Sequence, residues 1–298
     1  MPTTAVRRRR RRINPILTVI ICALALVLLT VVVLLALGFR IYSDSGVKFL
    51  GTMKSGQPWS GQLHYTDDKI PPATLDREAG KILFNNGDVY EGEIDKLCRH
   101  GDGVMTYANG DSYTGQWWRD RVSGAGVFKY ENGDQYSGSF KDGVRDGAGE
   151  FSWANGDNYS GGFKNDLMDG TGIYVWASGN KYEGQYVNGA RNGWGKLTMT
   201  TGESYDGPWQ DDRKDGPGGT YIYKNGDRYS GAFYNNLPDT RLRDAQGGLV
   251  TDADGNFKHE VQAIYRYDTG RVYTGYFEAG KILGVDTDSP LIPDTNYQ

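Results

Sequence analysis

A chain of 298 residues suffices for one large or two ordinary domains, and its 38% hydrophobic content is very unevenly distributed. Seven of its 33 basic residues, Arg7, Arg8, Arg9, Arg10, Arg11, Arg12 and Arg40, precede Asp44, the first acid, which leaves 26 basic against 37 acidic residues afterwards, a net charge of −11. Such a surface repels nucleic-acid backbones and anionic headgroups; Cys22 and Cys98 alone cannot make a disulfide framework, and three isolated histidines, His64, His100 and His259, argue against a zinc site.

The first predicted element follows a polyarginine tail over residues 1–12. Ile16 to Phe39 runs 24 residues without a charge, which as a helix measures about 36 Å and crosses a ~30 Å hydrocarbon core with some tilt. Residues 13–39 are therefore expected to form one transmembrane helix. A cleaved signal peptide is the rival, but the apolar run is too long and LLALGFRIY offers no small-x-small site. The six arginines Arg7 to Arg12 outweigh Arg40, Lys48 and Lys54 on the other flank, so the amino terminus is expected in the cytoplasm and everything after Arg40 outside it.

Residues 40–80 are expected to be a juxtamembrane linker in which GQPWSGQLHY, 56–65, forms a half-repeat cap. An array follows over 81–237. Tyr-x-Gly recurs at Tyr90, Tyr113, Tyr136, Tyr159, Tyr182, Tyr205 and Tyr229, with five spacings of 23 and one of 24. Eleven residues after each of the first six tyrosines comes Gly-x-Gly, so two landmarks keep phase. Between them the pattern alternates: Tyr136, Gly138 and Phe140 point one way, with Gly149, Phe151 and Trp153 on the next strand, while Ser137, Ser139, Glu150 and Ser152 point the other way. Each unit is thus an antiparallel pair of strands, with Asn-Gly-Asp at 109, 132, 155 and 225 expected in tight type I′ turns and KDGVRDG-type segments in looser ones. Residues 238–266 form a degenerate repeat, and 267–298 hold a last repeat, YTGYF, and a tail. The fold class is all-β, an elongated single-layer antiparallel β-meander of about eight hairpin repeats preceded by one transmembrane α-helix.

The pattern Y-x-G-x-[FW], G-x-G eleven residues after the tyrosine and then N-G-D resembles the MORN repeat family, with full motifs over about 82–233. The resemblance implies an extended β-meander scaffold for protein contacts, proposed in some members to bind phosphoinositides and often appended to an enzyme. The segments outside the array are too short for a separate catalytic domain, so no enzymatic activity and no cofactor are expected. The glycine strings lie between strands rather than before a helix, which disfavours a nucleotide loop. Asp252, Asp254, Asn256 and Glu260 suit a hairpin turn better than a calcium loop, Cys98 beside Lys96, Arg99 and His100 lacks a positioned base, and the Asn158-Tyr159-Ser160 sequon is incidental.

The strongest functional feature is an aromatic face composed of Tyr113, Trp117, Phe128, Tyr130, Tyr136, Phe140, Phe151, Trp153, Tyr159, Phe163, Tyr174, Trp176, Tyr182 and Tyr186. A one-layer sheet cannot hide both faces, and an uncovered stripe of this size marks a binding surface, unless the rings satisfy one another and the tail covers the rest. The expected function is a membrane-anchored, single-pass interaction scaffold whose partner is a protein or a second copy, with no small-molecule substrate, no metal and no nucleic acid. Envelope or cell-wall glycan binding is the alternative, and phosphoinositide binding ranks below it because it needs a cytoplasmic array and a basic patch.

Overall fold

The computed structural model describes residues 15–259 and 261–283; Arg7 to Arg12, Glu260 and the tail from 284 lie outside the described residues. Two units divide the chain, the first ending at Ala108 and the second beginning at Asn109. In the first, helix α1 (Pro15–Ala36) is followed by β1 (Phe39–Asp44), β2 (Val47–Lys54), β3 (Gln57–Tyr65), β4 (Ala73–Asp76), β5 (Lys81–Phe84), β6 (Val89–Asp95) and β7 (Cys98–Thr106). Each strand pairs antiparallel with the next.

Most of 40–80, expected as a linker with a half-repeat cap, is therefore strand, and β3 coincides with the expected cap. The reason is the alternation VKFLG: Val47, Phe49 and Gly51 face one side, and the Phe49 ring covers the facing pair Gly51 and Gly61, so this segment uses the same ring-over-glycine packing as the array. Cys98 opens β7 and is buried. The helix α1 has no buried residue over Val19–Ala36, a span with the length and composition of a membrane anchor or a signal sequence.

The second unit continues as a meander through β8 (Ser112–Trp118), β9 (Arg121–Lys129), β10 (Gln135–Lys141), β11 (Val144–Ser152), β12 (Asn158–Lys164), β13 (Leu167–Val175), β14 (Lys181–Val187) and β15 (Ala190–Thr198). It proceeds through β16 (Ser204–Gln210), β17 (Arg213–Lys214), β18 (Gly216–Ile222), β19 (Arg228–Tyr234), β20 (Leu237–Pro238), β21 (Ala263–Arg266) and β22 (Val272–Gly275), and a small hairpin of β23 (Phe277–Glu278) and β24 (Lys281–Ile282) follows.

The two turn types are exchanged relative to expectation. At Asn-Gly-Asp only the glycine is left-handed: the Gly133 N–H donates to the Tyr130 carbonyl, the Tyr130 N–H donates to the Asp134 carbonyl, and Gly133 has φ 95°. That is a type I turn closed by a glycine bulge. The opposite ends carry the two-residue type I′ turns, as at Asp142 and Gly143 (φ 51° and 96°) and at Asn165 and Asp166 (φ 47° and 68°). Those segments look long in sequence because they include a β-bulge, with register shifts between Gly138 and Phe140 and between Gly161 and Phe163.

The stretch assigned to a degenerate repeat is an intact repeat interrupted by an insertion. β19 pairs first with β20, Phe233 opposite Pro238, and then with β21, Tyr229 opposite Tyr265. The Tyr229 to Tyr273 interval of 44 residues is one repeat of 23 with 21 added. Bridges Arg241↔His259, Arg243↔Leu249 and Thr251↔Phe257 fold the inserted segment on itself. Asp244 and Asp252 each accept two backbone N–H bonds across its turns, from Gln246 and Gly248 and from Asp254 and Asn256.

Candidate interaction surface

All fourteen predicted aromatic residues lie in the second unit, and the registers Tyr136↔Phe151, Phe151↔Tyr159, Tyr159↔Tyr174 and Tyr174↔Tyr182 run one column of rings across the sheet. The structure separates them into two rows with different surroundings.

The first row is buried. A column of paired glycines, Gly115↔Gly126, Gly126↔Gly138, Gly138↔Gly149, Gly149↔Gly161, Gly161↔Gly172 and Gly172↔Gly184, leaves bare backbone, and the repeat tyrosines lie over it: a Cβ at Gly149 would overlap the Tyr136 ring, and one at Gly172 the Tyr159 ring. Tyr113, Tyr136, Tyr159 and Tyr182 are consequently 0% exposed. Their hydroxyls donate to the carbonyl three residues on, at Gln116 (3.0 Å), Ser139 (2.9 Å), Gly162 (2.9 Å) and Gln185 (3.1 Å). Phe140, Phe163 and Tyr186 stand edge-on between successive tyrosines, and Trp117 stands edge-on to Tyr113. Centroid separations are 5.2 Å from Tyr113 to Phe140, 5.0 Å from Phe140 to Tyr136, 5.0 Å from Tyr136 to Phe163 and 5.3 Å from Tyr159 to Tyr186. Burial pushes the Tyr136 and Tyr159 phenols up to about 12, so they stay neutral.

The second row is half-buried. Phe128, Tyr130, Phe151, Trp153, Tyr174 and Trp176 form a continuous tilted stack with centroid steps of 4.5, 6.0, 4.5, 5.1 and 4.8 Å, and all but Phe151 keep part of their surface in solvent. The Asn-Gly-Asp turns hold this row. The Asp111 carboxylate accepts from the Glu131 N–H, Asp134 from Ala154 (2.8 Å) and Asp157 from Ala177 (2.7 Å), so each turn is tied to the next; Asp157 also accepts from the Tyr174 hydroxyl at 2.8 Å. Burial alone would raise the Asp157 carboxyl, but the bonds from Ala177, Tyr174 and Asn155 outweigh it and hold it below the usual carboxylate range. Two repeats later the same positions are Tyr221 and Tyr223, and between them Leu197 and Met199; all four are buried.

Sequence reasoning missed two features. Nine residues after successive repeat tyrosines stand Val122, Arg145, Met168, Arg191 and Lys214. The Arg145 guanidinium lies 5.1 to 5.6 Å from the Phe151, Phe163 and Tyr136 rings and pairs with Asp166 at 3.0 Å. Arg191 lies 4.3 Å from the Trp209 ring and pairs with Asp212 at 2.8 Å. The 23-residue period is the signal that could have found them. The other feature is on the reverse face, where Trp118 and Trp194 are 55% and 53% exposed. Trp194 donates its indole N–H to Asp206 at 2.8 Å and borders an open groove of about 540 Å³ lined by Ser160, Thr171, Ile173, Glu183 and Gln185.

Residues 99–112, 113–135, 136–158, 159–181, 182–204 and 205–228 each match the family model described as the MORN repeat. Residues 99–228 are an array of six MORN repeats. The MORN repeats mark the chain as a repeat-based module of protein interaction or membrane association. Comparison with curated proteins finds no match. Among solved structures, it is similar to the TCP domain of Drosophila melanogaster SAS-4 (dCPAP), solved with a proline-rich motif of Ana2, at 12% identity over 66% of this chain and 88% of that one, with a TM-score of 0.34. A mutant TCP10 domain of Danio rerio CPAP aligns at 16% identity over 72% and 98%, with a TM-score of 0.28. Likeness at that level says nothing of function.

Proposed function

We propose that the protein is a non-enzymatic, membrane-anchored scaffold that binds a partner protein along the row from Phe128 to Trp176. The carrying observation is the continuous stack of mostly half-exposed aromatic rings along these repeats, while the tyrosine row beneath them is already packed. Aromatic side chains with one face buried and one wet supply large contact area at low entropic cost. The carboxylates of Asp111, Asp134 and Asp157 along the adjoining turns suit a neutral or basic partner. The anchor is α1, the amino terminus is cytoplasmic, and the repeats lie on the opposite side.

A photo-crosslinking residue placed at Trp153, Trp176 or Trp118 of the full chain in its own membrane tests the surface. A common protein adduct from positions 153 and 176, absent at 118, is the expected result; an adduct from 118 alone contradicts it. Orientation is tested with an impermeant maleimide and Lys164→Cys, since native Cys98 is buried and makes a poor reporter. Labelling of intact cells is expected, and labelling only after permeabilisation would reverse the topology.

One observation favours a second reading, a glycan-binding module. The Trp194 indole offers an exposed stacking plane beside hydroxyl, amide and carboxylate groups in the reverse-face groove. On this reading Trp194→Ala loses retention on cell-wall polysaccharide; absence of retention by the unaltered chain removes it.

A further inference from the structure

We infer that the outer face of β1 and β2 is a membrane-contact surface, resting on the bilayer that holds α1. The inference depends on the anchor reading of α1 and adds a lipid-facing role for strands that precede the matched repeats.

The joint between helix and sheet is short. Only Leu37 and Gly38 separate α1 from β1, so Ile41, five residues past Ala36, lies at most about 18 Å from the helix end even with a straight chain. The chain is not straight there. Gly38 has φ 85°, and the Arg40 guanidinium reaches back to donate to the Leu35 carbonyl at 2.8 Å and to the Phe39 carbonyl at 2.8 Å. That contact satisfies a last-turn carbonyl of the helix and holds β1 against the helix end. A helix that crosses the hydrocarbon core therefore delivers β1 into or beside the headgroup layer, about 5 to 8 Å deep on each side.

What faces outward at that point is apolar and basic. Ile41 is 84% exposed and Leu50 51%, and the two are direct cross-strand partners, so their side chains stand together on one face. Ser43 pairs with Lys48, Lys48 with His64 and Leu50 with Gln62, so the same face continues as Ser43, Lys48, His64 and Gln62. It carries no acid in this stretch. The only nearby acid of the hairpin, Asp44, belongs to the opposite face with Val47 and lies 3.5 Å from the Lys96 ammonium. In a chain whose charge after Arg40 is strongly negative, an acid-free patch with an exposed isoleucine and leucine fits lipid tails at the interface and lysine at the phosphates. It does not fit bulk water. A lipid surface, rather than a protein, is favoured because the two-residue joint puts the patch next to the bilayer before any partner arrives.

The test uses the full chain with Cys22→Ala and Cys98→Ala, reconstituted in vesicles of phosphatidylcholine and phosphatidylglycerol that contain a nitroxide-labelled lipid. Single cysteines replace Val27, Leu50 or Lys164 and carry an environment-sensitive fluorophore. Labels at 27 and 50 are expected to lose most of their emission to the lipid nitroxide and to resist aqueous iodide, whereas the label at 164 does the reverse. Lys48→Glu is expected to reduce quenching at 50 and leave 27 unchanged. If 27 is quenched while 50 is as open to iodide as 164, the contact surface is wrong and the anchor stands. If 27 is not quenched, both fall.

Discussion

Two stretches of the repeat array occupy the same structural positions and treat them differently. At 128 to 176 the pair that ends each long strand is Phe128 and Tyr130, Phe151 and Trp153, or Tyr174 and Trp176, and mostly half-exposed; at 197 to 223 it is Leu197 and Met199 or Tyr221 and Tyr223, and buried. Both stretches share the tyrosine over glycine, with Tyr159, Tyr182 and Tyr205 equally inaccessible. The difference teaches that a ring over the glycine floor is what these repeats share, whereas an open aromatic edge is dispensable for folding.

The largest effect should come from breaking what the two stretches share. Tyr159→Ala removes a ring packed on Phe163, Tyr186 and the glycine floor and is expected to destabilise by about 3 to 5 kcal/mol. Denaturant unfolding checks it, with hydrogen exchange to show whether loss stays local to neighbouring repeats. Gly172→Ala overpacks the same site from below, at about 1 to 3 kcal/mol, by the same measurement.

Smaller effects sharpen the contrast. Asp157→Ala frees the Ala177 N–H and the Tyr174 hydroxyl and should cost about 1 kcal/mol. Asp157→Asn should cost less at neutral pH, because Asn180 already fills the equivalent role by accepting from Thr200 at 3.0 Å. Since the folded Asp157 and Asp227 carboxyls are held low, their contribution is full above the ordinary value of about 3.9 and is lost as pH falls through the folded values. An acid titration should thus show Asp157→Asn less sensitive than the unaltered chain below that point. The smallest effect on folding is expected from Tyr174→Leu with Trp176→Met, which copies Leu197 and Met199: stability within about 1 kcal/mol, but loss of the crosslinked partner.

Much of the fold was legible because it is periodic. The tyrosine and glycine phase located the strands of the array. The turns were misjudged because Asn-Gly-Asp and Asp-Gly look alike, and a bulge at the left-handed Gly147 (φ 108°) hides the shortness of the second turn. Strands β1, β2 and β4 stood inside the expected linker because Phe49 replaces tyrosine and breaks the motif without changing the packing, whereas β3 falls on the expected half-repeat cap. The insertion in the seventh repeat looked like decay because β20 and β21, contiguous in the sheet, are separated in sequence. Burial divided the aromatic face in a way composition could not, since both rows share residue types and strand parity.

Hydroxyl-radical footprinting of the full chain, in its native membrane and after detergent extraction and purification, is the measurement that bears most directly on the two-row account. The account predicts that Tyr136, Tyr159 and Tyr182 stay unmodified in both samples, while Tyr130, Trp153, Tyr174 and Trp176 are modified in the purified chain and protected in the membrane. Modification of the repeat tyrosines as heavy as that of Trp176, or a Trp153 and Trp176 signal identical in the two samples, would contradict it.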